Sequence, residues 1–274
     1  MPLLRLPEPY DFELSTGRYR AFGPDRANLW HDGGLHRVVA GRDVRIAATP
    51  GGVEVEPLDE ETEAVVRTLL GADFDLAAFY EFARADAVLA GVVERFPGLR
   101  PPINPDSFET LVTSITAQQV SLHAAFSIRN RLIERYGQPG TVAYAFPTRA
   151  ALAEATADEL AALGLSRRKA EYVTGLAASA LDLDALSGLP DDDVKNTLVA
   201  VRGLGEWTAD WFLARHLARP RAWPAGDLAV RKAVSRFYGD GLMLSIQDVR
   251  ALGERFDPFQ NLTAHYLLAG LMAP

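Results

Sequence analysis

Between Pro97 and Pro105 the chain reads Pro-Gly-Leu-Arg-Pro-Pro-Ile-Asn-Pro, four prolines in nine residues. Proline fixes φ and has no N–H to donate, so neither a helix nor an interior strand can run through this segment. It is therefore the candidate domain boundary. Before it, residues 1–56 read as strands. Short runs at 19–22, 28–31, 35–39, 44–48 and 53–56 are separated by Gly-containing turns at Asp32-Gly33-Gly34, Gly41-Arg42-Asp43 and Pro50-Gly51-Gly52, which is the hairpin pattern. From Glu60 the apolar spacing turns helical: Val65, Leu69 and Leu70 fit one helix, and residues 76–83 and 87–96 fit two more.

Beyond Pro105 nearly everything is helical. Asp106 with Glu109 resembles a capping box, Ser121 caps a helix through Leu132, and residues 137–147 form a loop. A helix over 158–163 ends at Gly164, and Ser166 starts one that reaches Ala180. Asp191, Asp192 and Asp193 make an acidic first turn that suits a helix dipole. The expectation is an α+β chain: residues 1–98 a mixed domain with an antiparallel sheet, residues 99–274 an all-α body in two lobes.

A chain of 274 residues suggests about two domains of roughly 150 residues each. With 48% hydrophobic and 23% charged residues it reads as an ordinary folded protein. The absence of cysteine excludes disulfides, thiolate zinc sites, cysteine nucleophiles and iron–sulfur clusters. His31, His36, His123, His216 and His265 do not pair at metal-ligand spacing, and no nucleophile elbow, P-loop or dinucleotide fingerprint occurs. The N-terminus has no signal-peptide pattern and no stretch approaches a membrane span, so a cytoplasmic location is expected.

The net charge is −8, a poor start for a polyanion binder. The charge is unevenly spread. Residues 1–100 hold 11 basic and 17 acidic groups, whereas residues 201–236 hold 7 basic and 3 acidic. A solvated helix face would explain such a cluster alone, but this one coincides with the most distinctive pattern in the chain. Residues 198–211 carry two helix-like runs joined by Gly203-Leu204-Gly205. The glycines allow a tight turn and close approach of another group, and the N–H groups that follow open a helix and favour an anion. A Gly-x-Gly turn between helices is common, and Leu204 also fits as a plug between them. Further on, Pro224-Ala225-Gly226-Asp227 opens another helix. Asp227 fits as an N-cap, and a carboxylate facing helix N–H groups is favoured in its ionised form.

Gly-Leu-Gly-Glu-Trp-Thr-Ala followed by Pro-Ala-Gly-Asp resembles the helix-hairpin-helix DNA glycosylases. Pro9-Tyr10-Asp11-Phe12, Thr116-Ala-Gln-Gln-Val-Ser121 and Leu163-Gly-Leu-Ser-Arg-Arg-Lys-Ala170 are similar to 3-methyladenine DNA glycosylase II, the AlkA type, in the same order and over essentially the whole chain. The resemblance implies a TBP-like N-terminal sheet domain and a glycosylase body whose hairpin spans about 194–215. It implies excision of alkylated bases from double-stranded DNA in base excision repair by a monomer without a cofactor. Two alternatives stay open, a glycosylase for oxidised or deaminated bases and a non-catalytic DNA-binding hairpin module.

Residue by residue, the resemblance makes Asp227 the catalytic carboxylate. Gly203, Leu204, Gly205 and Thr208 become the phosphate-binding hairpin, and related hairpins often hold a monovalent cation near Gly203 and Gly205. Lyase relatives carry a lysine where this chain has Trp207, and an indole cannot form a Schiff base. Trp207 and Trp211, four apart on one helix face, become walls of the base pocket, although such a pair also fits as core. A purine methylated at N3 or N7 is cationic, leaves readily and binds well against electron-rich rings. The target base must leave the stack, and the resemblance puts intercalation at Gln118 and Gln119, with Gln119 as wedge. The family's pocket tryptophan corresponds to Leu268 here, and Phe256-Asp-Pro-Phe-Gln-Asn261 replaces a more aromatic stretch, which implies a wider pocket.

Overall fold

Strands with apolar residues at every second position make the first layer. The computed structural model describes residues 2–273. Strands β1 (Leu3–Arg5), β2 (Leu29–His31), β3 (Gly34–Val39), β4 (Arg42–Thr49) and β5 (Gly52–Glu56) form one antiparallel sheet in the order β1-β5-β4-β3-β2. Leu35 pairs with Ile46 and Ile46 with Val55, and all three are buried on one face. Two short helices, α1 (Phe12–Thr16) and α2 (Arg18–Ala21), lie between β1 and β2. Residues 19–22, expected as a strand, are largely this second helix. The reason is the spacing of buried residues: Phe12, Ser15, Thr16 and Tyr19 recur at three, four and seven.

Helix α3 (Glu60–Leu69) closes the sheet core with Val66, Leu69 and Leu70. Helices α4 (Leu76–Ala83) and α5 (Ala87–Arg95) do not belong to that core. Phe79, Leu89 and Val92 pack with Phe256 and Tyr266 in the core of the helical body. The cores therefore divide between Ala72 and Phe74 rather than at 98/99. The proline-rich segment is a buried strap instead of a linker. Arg100 is 1% exposed, and its guanidinium donates to the carbonyls of Pro7, Gly71, Ala72 and Phe74. Prolines leave the strap without regular backbone pairing, and this arginine ties it to both sides.

The remaining helices are α6 (Ser107–Ala117), α7 (Leu122–Tyr136), α8 (Arg149–Ala153), α9 (Ala157–Ala162), α10 (Arg167–Ala178), α11 (Asp191–Val199), α12 (Glu206–Arg215), α13 (Leu228–Tyr238), α14 (Ile246–Gly253) and α15 (Gln260–Met272). Ser121 and Ser166 cap α7 and α10 by accepting the N–H three residues on. No helix among the described residues is long and apolar enough to cross a membrane.

The capping box at α6 is only half made. Asp106 accepts the Glu109 N–H, but the Glu109 side chain points away from the cap. Its oxygens accept from Arg37 of β3 and Arg129 of α7, and Arg129 also pairs with Asp25. Glu109 is fully buried and both arginines nearly so. This network fastens the sheet to the helical body. Burial works to raise the Glu109 carboxyl, and the two guanidinium groups outweigh it and hold it below the usual glutamate range.

Glu109→Ala leaves buried Arg37 without a carboxylate and Arg129 with Asp25 alone, and is expected to cost about 3–5 kcal/mol in urea unfolding. Because the folded carboxyl is held low, its stabilisation is complete above pH 4.5 and is lost as the pH falls below it. A wild-type stability that stays flat on acidification through this window, or a silent variant, would contradict the fastening role.

Candidate active site

Two helix starts meet at one carboxylate. The turn closed by the Asp227 N–H on the Pro224 carbonyl (3.0 Å) sets Asp227 as N-cap of α13. Its Oδ1 accepts the Ala229 and Val230 N–H groups at 2.8 and 3.1 Å. Its Oδ2 accepts the Trp207 and Trp211 indole N–H groups at 2.7 and 3.0 Å. Four donors thus converge on one side chain. The cap role read from the sequence holds, and the tryptophans add a second function. Rather than only walling a pocket, both indoles of α12 orient the carboxylate.

The hairpin brings α12 to this place. Gly203 has φ +95, and a Cβ there would lie 2.2 Å from the Tyr172 ring. Only glycine meets both demands. Leu204 is buried in the core that residues of α11 and α12 share. Gly205 is the N-cap of α12 without a side-chain cap, and a Cβ there would meet nothing within 4 Å. The opening turn of α12 therefore faces outward with uncapped N–H groups, a ready anion site. Thr208, expected at the phosphate, is 1% exposed and packs inward.

Gln118, expected at the intercalation site, has another task. Its amide donates to the Gly203 carbonyl at 2.8 Å and braces the hairpin. Gln119 is the exposed tip of the turn between α6 and α7, at φ +55, with exposed Val120 and Leu122 beside it. Lys169 donates to the Thr116 carbonyl at 3.1 Å. The three stretches around 116, 169 and 203 are thereby joined through hydrogen bonds. The Gly203 carbonyl accepts from Gln118 and the Val201 carbonyl from the Leu204 N–H. Among the described residues no group of three or more His, Asp or Glu side chains fits a metal.

Leu268 is half-buried against the main core of α15, one turn beyond His265, and no hydrogen bond or ring contact links it to Asp227. The residues that do crowd the carboxylate include three that the motif reading missed. The Arg215 guanidinium lies 3.6 Å from the centre of the Trp211 ring. The His265 ring stands edge-on to Trp211 at 5.7 Å. Its Nδ1 is 2.9 Å from the Asn261 carbonyl and its Nε2 is 3.5 Å from Arg215 Nε. That places the proton on Nδ1 and leaves Nε2 as acceptor. Burial, and then the Arg215 charge, pushes His265 down to about 3. Arg18, from α2, lies near enough to Asp227 and Arg215 to feel both charges, and burial depresses both arginines. A signal for Arg215 was present, since 207, 211 and 215 share one face of α12. None existed for Arg18, which reaches the site only through the fold.

Residues 112–244 match the family model described as HhH-GPD superfamily base excision DNA repair protein, a span that holds the hairpin and Asp227. A Bacillus subtilis protein described as DNA-3-methyladenine glycosylase is 32% identical over 179 residues, covering 62% of this chain and 59% of that one. A Mycobacterium tuberculosis protein described as a probable bifunctional transcriptional activator/DNA repair enzyme AlkA is 31% identical over 290 residues, covering 99% of this chain and 57% of that one. The chain thus spans less than two thirds of the length of these curated relatives. Among solved structures, a 3-methyladenine DNA-glycosylase from Archaeoglobus fulgidus superposes with a TM-score of 0.89 at 28% identity over 98% of both chains. A Clostridium acetobutylicum 8-oxoguanine glycosylase/lyase, at 20% identity and TM-score 0.80, over 97% of this chain and 99% of that one, shares the fold.

Gly203→Ala is expected to cost about 2 kcal/mol or more in thermal unfolding, since Cβ meets Tyr172 and φ is positive. Gly205→Ala, with open space around its Cβ, should stay within about 1 kcal/mol of wild type. Equal losses at the two positions would contradict the geometry of the turn.

Proposed function

We propose, from the chain's place in the HhH-GPD superfamily, that this protein is a monofunctional DNA glycosylase that extrudes alkylated bases from duplex DNA and leaves an abasic site. The observation that carries this reading is Asp227, an acceptor of four N–H groups at the mouth of the hairpin helix. A carboxylate oriented in this way stabilises the positive charge that grows on the sugar as the base departs, without any rearrangement during the reaction. The glycosidic electron pair goes to the base, and water adds to the anomeric carbon. A methylated purine carrying positive charge leaves as a neutral base and needs little acid help, which suits a site built around a charge.

Trp207 supports the absence of lyase chemistry. It stands where lyase relatives carry a lysine, has no amine, and commits its N–H to Asp227. The α12 N-terminus and Gly205 give backbone N–H groups for a phosphate on one side of the flipped nucleotide. The exposed tip at Gln119 and Val120 is placed in the turn next to the hairpin brace, where a side chain can fill the emptied stack.

Release of 3-methyladenine and 7-methylguanine from methylated duplex should fall at least about a hundredfold in Asp227→Asn, with DNA binding retained. Full activity in this variant would remove Asp227 from the chemistry. The wild-type product should break only after alkali, and strand cleavage without alkali would refute the monofunctional reading. Gly205→Ala should weaken binding to damaged and undamaged duplex alike, by about threefold to tenfold. A loss confined to one lesion would contradict a phosphate role.

A further inference from the structure

Helix ends show where this chain accepts strain. Helices α3 and α9 each place a glycine just past the cap, Gly71 at φ +63 and Gly164 at φ +104. Glycine is the usual solution there, because it has no Cβ to crowd the left-handed region. Helix α6 departs from it. Its cap is Gln118, and the next residue is Gln119 at φ +55, with an exposed side chain. The backbone closes this end weakly, with the Gln118 N–H 3.4 Å from the Ile115 carbonyl. A strained turn of this kind keeps its shape only where surrounding groups over-determine it.

Two side chains from the neighbourhood do so. Gln118 holds the Gly203 carbonyl at 2.8 Å. Lys169, from α10, reaches across to the Thr116 carbonyl at 3.1 Å. That oxygen is one of the last four carbonyls of α6, which have no partner within the helix. The ammonium also faces the negative end of the helix dipole. Lys169 is half-buried and meets no carboxylate among the described residues. Lys195 of α11 differs, since it pairs with Asp210 at 2.8 Å. The one protein group that receives the Lys169 charge is thus the carbonyl at the root of the exposed tip.

We infer that Lys169 is a positioning residue for base extrusion: by fixing the last turn of α6 it holds the Gln119–Val120 tip in the orientation that enters the base stack. The inference rests on the glycosylase reading and deepens it. Lys169 acts through Thr116 and the tip, and no hydrogen bond or ion pair among the described residues links it to Asp227. A tip that is ordered before binding does not have to be ordered during insertion, so less free energy is lost as the base leaves the stack. Extrusion costs most when the lesion has a pairing partner and least when it has none. The contribution of Lys169 therefore belongs to the paired lesion.

The test compares single-turnover release of 7-methylguanine from two duplexes, one with cytosine opposite the lesion and one with a propyl spacer that carries no base. Lys169→Met is expected to slow release from the paired duplex about tenfold and from the spacer duplex by no more than about twofold. Lys169→Arg keeps a charged donor and should restore the ratio of the two rates to within about threefold of wild type. In a Gln119→Ala background, adding Lys169→Met should slow paired release by no more than about twofold further, since the tip is already lost. Melting temperatures of all variants set a common temperature at which each is folded. A merely structural lysine would slow both duplexes alike. Equal loss on both, or losses that multiply in the double variant, would overturn the inference while leaving the glycosylase reading intact. Wild-type release from neither duplex would refute that reading itself.

Discussion

The structure turns on how one carboxylate is held. Asp227 takes two N–H groups from the start of its own helix and two from indoles on α12. The first pair is local and comes with any N-cap. The second pair requires α12 to pass at one distance and with one face turned inward. Gly203, pressed against Tyr172, permits the turn that delivers α12 there, and Gln118 fixes that turn from a third helix. Displacing any of these parts loosens the carboxylate before it touches the remainder of the site.

Charge inside the protein falls into two kinds. Arg37, Arg129, Glu109 and Asp25 neutralise one another between sheet and helices, and Arg100 is caged by carbonyls. These charges specify how layers join. Arg18 and Arg215 are partly buried as well, but Arg18 has no partner among the described residues and Arg215 only the long contact to His265. Arg215 lies over the ring of Trp211, whose N–H is bound to Asp227, so its charge sits close to the carboxylate. The whole-chain charge of −8 hides this, since what matters near the carboxylate is the sign of a few groups out of bulk water.

Local hydrogen bonds made much of the molecule legible in advance. The caps at Ser121, Ser166 and Asp227 need only a side chain and an N–H two or three residues on, and each appears where expected. The strands around Leu35, Ile46 and Val55 follow their alternation. Residues 19–22 were misread because β-forming residues there belong to a short helix whose buried partners lie upstream. Glu109 was misread because a distant pair of arginines outcompetes a neighbouring N–H. The proline-rich segment punctuates the chain, but it does not separate the cores, because Arg100 and Leu99 bury it.

By itself, then, the sequence determined what depends on neighbours along the chain: the periodicities, the caps, the glycine turn, the absence of thiols, and the motif set that places Asp227 after the hairpin. Tertiary structure alone decided what depends on residues meeting across the chain. It assigned α4 and α5 to the helical core, set Gln118 as a brace on the hairpin beside the Gln119 tip, and aimed two indole N–H groups at one carboxylate oxygen. Hydrogen-bond donors and charges act over a few ångströms of space, and sequence order constrains that space only within a turn or two of helix.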